Sequence, residues 1–354
     1  MVKVLSLFSG SLASRVATKL VERNPEVSSV QLLHFRSPFS CECDELRQLV
    51  KSEWPMATYR TQSIKKDYQD LVSLKDGGEF SLEQSCRRCQ SLLLSKTARY
   101  MNRIEAEFVV TGYTPAKHGL AAPNSFETPE DERLERRMLR PLCADDPLHL
   151  PDQLALWAGV KTRSRTADEM TELVIELAGE LGLDPTDAVN SESRCKLMTP
   201  GFGERVAVLL TEGLATLNAL CLLDFPLYFN ADPDLRIVVA SDENEKRELQ
   251  NFFLPQDLRL YPATPHGPMT LLRTDWATKT EAEKQEVIEF VARLTATYAY
   301  VEGAATIPVY YRLESEDERQ LLNVESFSSV DELLHREDLQ LIPLHSPIQR
   351  VLTA

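Results

Sequence analysis

Positive charge is what this sequence is short of. Its 354 residues carry 39 lysines and arginines against 54 aspartates and glutamates, a formal net charge of −15. That excludes a surface that is basic all over, the usual electrostatic footprint of a nucleic-acid binder. A nucleic-acid partner would need a local basic patch, and its binding would fall with salt. Long unbroken apolar runs are also missing. The most apolar stretch, VAVLLTEGLATLNALCLLDFPLYF, is interrupted by Glu212, Asn218, Asp224 and Pro226. It reads as buried helix rather than as a membrane span, and no membrane partner is expected. No secretory pattern precedes the apolar VKVLSLF, so a cytoplasmic location is expected. Nor is there an even set of cysteines. The seven are Cys41, Cys43, Cys86, Cys89, Cys143, Cys195 and Cys221. An odd count in a large chain without a signal suits reducing surroundings, where close cysteine pairs mean metal or redox chemistry rather than staples. Internal repeats and low-complexity tracts are absent.

What is present is ordinary globular composition, 43% hydrophobic and 26% charged, at a length that suits two or three domains. The first half alternates. VKVLSLF, SVQLLHF, ATYRTQSI and AEFVVTG read as strands. Between them lie the helical patterns LASRVATKLVERN, CDELRQLVKSEW, KDYQDLVSL and CRRCQSLLLSKTARYMNRI, with GGEFSLEQ as a loop before the last. Strands alternating with helices predict an α/β fold with a doubly wound, mostly parallel sheet. In such sheets ligands bind beyond the carboxyl ends of the strands. SGSLAS, RSPF and TGYTPAKHG all fall there. TADEMTELVIELAGELGL reads as an amphipathic helix, with Thr166 and Glu169 spaced as a capping box. Beyond Pro200 come a helix, the β runs LRIVVAS, LRLYPA and MTLLR, a helix from Lys279 to Thr297 and a strand pair around TIPVYYRLE. The expected organisation is an α/β domain over residues 1–160, a helical connector with a second cysteine segment over 161–205, and a smaller α+β region over 206–354.

Three motifs carry chemistry. Small residues from Ser9 to Ser14, between a strand and a helix, let backbone N–H groups approach phosphate oxygens, and the helix start favours anions. A plain strand-to-helix turn is written the same way. Cys86 and Cys89 in SCRRCQ are three apart, so both thiols share a helix face. The helix start, Arg87 and Arg88 would favour thiolates fit for sulfur transfer or soft metals. Two half-buried free thiols are the alternative. The run ERLERRMLR, with Arg133, Arg136, Arg137 and Arg140, could grip a phosphate backbone, but taken alone it reads rather as a solvated face with glutamate pairs. His118, His149 and His266 stand alone, and no motif is evident from Asp275 onward.

Taken in order, these segments resemble the PP-loop ATP pyrophosphatases of the adenine nucleotide alpha hydrolase superfamily. Among these the chain is most similar to the tRNA-thiolating 2-thiouridine and 4-thiouridine synthases. The family loop S-G-G-x-D-S corresponds to SGSLAS, with Ser11 for the second glycine and Ala13 for the acid. The strand leading to the adenine is LLHFRSPF. The cysteine motif opening a helix is SCRRCQSLLLSKTARY, the strand ending in T-G is AEFVVTGYTPAKHG, and the LRPL element is Leu139 to Leu142. A second cysteine segment, CKLMTPGFGERV, completes the series, preceded by SESR where the family has small residues.

The resemblance implies ATP-dependent tRNA thiolation. ATP would adenylate a uridine carbonyl oxygen, releasing pyrophosphate, and sulfur would then displace AMP. Ser9, Gly10, Ser11, Leu12, Ala13 and Ser14 would cradle the phosphates with Mg²⁺. His34 and Phe35 would lie by the adenosine, and Thr111 and Gly112 at the neighbouring strand end. Cys89 and Cys195 match the two cysteines that divide the sulfur chemistry. In some relatives three cysteines bind a [4Fe-4S] cluster, and Cys86, Cys89 and Cys195 match those. The implied partners are tRNA, gripped by a local path of Arg87, Arg88, Arg133, Arg136, Arg137 and Arg140 extended by Arg163 and Arg165, and a sulfur donor. Self-association into a homo-oligomer stays open. So do two other readings: a thiolating or amide-forming enzyme with a non-tRNA substrate, and a non-catalytic protein that binds nucleotide or a cluster.

Overall fold

The computed structural model describes residues 2–40, 44–114, 134, 137–142, 166–185, 195–231, 234–299, 305–328 and 339–341. Contacts divide the chain into two compact units, Met1–Thr199 and Pro200–Ala354.

The first unit is an α/β structure. Its strands β1 (Val2–Leu7), β2 (Val27–Arg36), β3 (Thr58–Ser63), β4 (Phe108–Val110) and β5 (Met138–Leu139) form one sheet in the order β3-β2-β1-β4-β5. Every pairing is parallel. The helices are α1 (Leu12–Glu22), α2 (Asp44–Glu53), the short α3 (Tyr68–Leu71), α4 (Leu82–Arg103) and α5 (Ala167–Leu181). Because the chain leaves β1 to one side for β2 and β3 and returns to the other for β4, the order reverses between β1 and β4. A crevice at such a reversal is where open α/β sheets take ligands.

Periodicity explains the packing. Leu12, Val16, Ala17 and Val21 share a face of α1. They are buried in one cluster with Val4, Val30 and Leu32 of the sheet and with Met170, Leu173, Val174 and Leu177 of α5. Each large aliphatic side chain so buried contributes about 1.5–3 kcal/mol. Arg15, fully buried on α1, forms a two-pronged ion pair with Glu53 at the end of α2, one prong 2.9 Å long. The capping box of α5 is present, with the Thr166 side chain accepting from Glu169 N and the Glu169 carboxylate accepting from Thr166 N.

One boundary differs from the sequence reading. Helix α4 starts at Leu82, because Ser81 caps it by accepting from Gln84 N. SLEQ is itself a capping sequence, S-x-x-Q. Cys86 therefore sits in the second turn, not at the helix start.

The second unit is α+β. Helices α6 (Phe202–Thr211) and α7 (Leu217–Leu222) precede β6 (Leu227–Ala231), β7 (Leu235–Ala240), α8 (Glu243–Leu249), β8 (Leu258–Pro262), β9 (Met269–Arg273), α9 (Glu281–Thr297), β10 (Ile307–Leu313), β11 (Gln320–Val324) and β12 (Leu339–Leu341). The seven strands form one antiparallel sheet, β11-β10-β8-β9-β7-β6-β12. Helix α9 packs on one face, its Val291, Ala292, Leu294 and Ala296 buried with Ile237, Leu260, Leu272 and Val309. The apolar stretch read as a buried helix is two helices and a strand. Gly213, at φ +71°, breaks it after α6, and Pro226 ends the second helical run before β6. Among the described residues, no helix is long and apolar enough to cross a membrane.

Candidate functional site

Parallel strands end at one edge of their sheet, so the residues that follow β1, β2, β4 and β5 gather there. After β1, Phe8 leads into the serine loop. Gly10 takes φ +79°, which glycine adopts without strain. Ser11 caps α1, its hydroxyl accepting from Ser14 N at 3.3 Å. Ser9 Oγ accepts from Ser11 N at 3.3 Å and lies 3.0 Å from Ser11 Oγ and 3.2 Å from Ser14 Oγ. Ser14 Oγ donates to Ser11 O. The three hydroxyls thus hold one another. Leu12 points into the core, 2% exposed, so only its backbone faces the loop. Ala13 supplies no carboxylate, so the loop itself offers Mg²⁺ no acidic ligand.

After β4 come Thr111 and Gly112. A Cβ on Gly112 would stand 2.5 Å from Ser14 N and Ser14 Cα and 2.8 Å from the Ala13 carbonyl carbon. The first turn of α1 therefore packs directly on the end of β4, across the reversal point. The Thr111 hydroxyl is buried beside it with no hydrogen-bond partner among the described residues, a donor and acceptor left over at the crevice. At the end of β2, His34 Nδ1 is 3.0 Å from Phe8 O, so that nitrogen carries the proton. Phe35 is buried.

The cysteines meet at the same edge. Cys86 and Cys89 lie on one face of α4, three residues apart. Cys195 reaches them because its segment docks on the turn after β2, where it bridges Ser40 and Lys196 N donates to Phe39 O at 2.7 Å. Cys89 lies close enough to Cys86 and Cys195 to feel their charge. Burial raises the pKa of Cys86 and pushes that of Cys89 up to about 12, with the neighbouring Cys195 and Cys86 adding to the rise. Tyr113, just past Gly112, is shifted upward by burial and by Cys89, while Arg140, just past β5, opposes that shift. The edge thus brings together Cys86, Cys89, Cys195, Tyr113 and Arg140.

The helix start and the arginines are not placed to favour thiolates as expected. Both cysteines lie beyond the first turn, where the helix dipole has faded. Arg87 pairs with Glu83 at 2.6 Å, and Arg88 donates to Val72 O. Among the described residues no group of three or more His, Cys, Asp or Glu side chains is arranged to hold a metal ion. The three cysteines match an iron–sulfur cluster in kind and number of donors, but their present arrangement does not close around one.

The arginine path divides. Arg137 donates to Glu107 O at 2.7 Å and to Ala106 O, at the opposite end of β4 from the cysteines. Arg140 is at the cysteine edge. Arg133, Arg136, Arg163 and Arg165 lie outside the described residues. Tyr113 was missed by sequence reasoning. Its signal was its position, directly after a buried strand ending in T-G.

Residues 228–333 match the family model described as NFACT protein RNA binding domain. No curated protein sequence matches the chain. Among solved structures, similarity is found to the U34-tRNA thiolase NcsA from Methanococcus maripaludis with its [4Fe-4S] cluster. It is 14% identical over 58% of this chain and 72% of that one, with TM-score 0.28. A predicted subunit of tRNA methyltransferase from Methanocaldococcus jannaschii is 11% identical over 52% of this chain and 90% of that one, also at 0.28. The C-terminal part of the fibronectin/fibrinogen-binding protein from Streptococcus suis is 14% identical over 47% and 77%, at 0.25.

Proposed function

We propose that the chain is an RNA-directed thiolating enzyme, an ATP-dependent tRNA sulfurtransferase. The observation that carries the reading is the gathering of Cys86, Cys89 and Cys195 at the carboxyl edge of a parallel sheet whose reversal point carries the serine loop. Three thiols from two distant segments, with a buried guanidinium and a phenol, make a sulfur site rather than a general hydrolase. The match of residues 228–333 to an RNA-binding family model supports RNA as the substrate class.

In this reading the uridine carbonyl oxygen attacks the α-phosphorus of ATP and pyrophosphate leaves. Sulfur then forms the C–S bond and AMP departs with the oxygen. An amide-like oxygen is a poor leaving group until it carries a phosphoryl group, which is why ATP is spent. The loop amides and the Thr111 hydroxyl would bind and orient the nucleotide, and Cys89 and Cys195 would handle the sulfur. Cys86, Cys89 and Cys195 are the donors that would have to draw together to hold a [4Fe-4S] cluster, which would supply Lewis-acidic iron. Residues 1–160, 161–205 and 206–354 would then serve as nucleotide domain, connector with the second cysteine segment, and C-terminal RNA-handling region, in a cytoplasmic protein.

Pyrophosphate release from ATP, with and without tRNA, tests the reading. The expected result is release that tRNA stimulates and that Ala13→Asp raises by restoring a carboxylate for Mg²⁺. ATP turnover indifferent to every RNA pool would remove tRNA from the proposal. Anaerobically purified protein without iron, or iron retained by Cys86→Ala, Cys89→Ala and Cys195→Ala alike, would remove the cluster.

A further inference from the structure

The antiparallel sheet has two unlike faces. α9 covers one. On the other, the described residues give cover only in part. Arg205 of α6 lies 5.3 Å from the Tyr228 ring, and Asn218 of α7 and Arg273 of β9 both donate to Phe252 O. Val238 and Leu271 beneath are fully buried. Arg259 of β8 lies 4.4 Å from the Phe253 ring. Further out, over β8, β10 and β11, the side chains reach solvent.

Register sets what stands there. Tyr261 pairs with Tyr310, and Tyr310 with Leu321, which is 53% exposed. The two tyrosine rings are 5.6 Å apart and inclined at 40°. Arg319, exposed, lies 4.2 Å from the Tyr310 ring, with its Nη1 3.5 Å from Tyr261 Oη. In the adjoining row Arg259 stands directly opposite Arg312. Like charges in that position destabilise a sheet. Glu314 offsets them, 2.6 Å from Arg259 and 3.9 Å from Arg312. Glu316, Asp317 and Glu318 follow in the turn, and Arg312 donates to Glu316 O. Arg319 has no acidic partner among the described residues.

We propose that the outer face of β8, β10 and β11 is a stacking platform for unpaired bases of single-stranded RNA, with Tyr261 and Tyr310 as the stacking surfaces and Arg319 as the phosphate contact. The inference rests on the reading that the chain acts on RNA. Flat rings on an accessible sheet suit the π-faces of any base, and a cation placed over one of them suits the phosphate that follows. The acidic turn restricts the charge contribution to little more than one contact. This platform therefore binds chiefly by stacking, which is how a chain with a net charge of −15 can still hold RNA.

Binding of labelled oligouridylate to the full-length protein, followed by fluorescence anisotropy over a range of salt, tests this. The expected result is preference for the single strand over its duplex with oligoadenylate, with a shallow salt slope. Tyr310→Ala should weaken binding about tenfold, while Tyr310→Phe stays within about twofold. Arg319→Ala, at an exposed position before β11, should lower the salt slope by about 0.7. Parent-like binding by both Tyr310→Ala and Arg319→Ala, equal affinity for duplex, or no RNA binding by the parent would overturn the platform. Loss of affinity in Tyr310→Ala, in a protein that forms no thionucleoside, would keep the platform and sink the sulfurtransferase reading.

Discussion

Gly112 shows what a single residue does for the site. Its missing side chain lets the first turn of α1 lie on the end of β4, closing the sheet at its reversal point. Gly112→Ala should cost about 1–3 kcal/mol, because the clash is with backbone and cannot be relieved by a rotamer. Gly179, inside α5 with open space around it, gives the contrast: Gly179→Ala should gain about 0.5–1 kcal/mol. Thermal denaturation of the two variants checks both signs. The T-G pair was legible as a resemblance, but its reason, contact with Ser14 across two strands, was not. The cysteines were legible in identity and order. Their protonation was not, because it depends on burial and on where α4 begins. A helix starting one turn earlier moves Cys86 off the positive end, and Glu83 occupies Arg87.

Elements with strong local signals were readable. Thr166 and Glu169 state the start of α5 in sequence, and the box forms as written. Thr166→Ala should cost about 1 kcal/mol and loosen α5 where it packs on α1. Hydrogen exchange of the α5 amides should speed up while β6 to β10 stay unchanged. Uniform protection would mean that packing alone holds the helix. Other elements lacked a signal of their own. β5 is two residues long and exists because β4 offers a parallel edge. β6 was hidden within an apolar run whose breakers, Gly213 and Pro226, divide it into three elements. The tyrosine and arginine rows of the outer face come from three strands, so only the register reveals them.

At the scale of the whole molecule, scarcity of positive charge shapes the account. The alternation of the first half was enough to foresee the parallel sheet and the edge where the loops after its strands gather. Residues 228–333 of the second unit, in which the sequence offers no chemical motif from Asp275 onward, match an RNA-binding family model. In the proposed reading, thiol chemistry in one unit and RNA contact in the other would be separable properties of one chain. The most direct test is mass spectrometry of nucleosides from tRNA incubated anaerobically with the full-length protein, ATP, Mg²⁺ and sulfide. The account predicts a thiouridine that requires ATP and falls to less than about a hundredth in Cys89→Ala and Cys195→Ala, the loss expected when a reacting group is removed. A thionucleoside made equally by both variants, or none made by the parent, would contradict it.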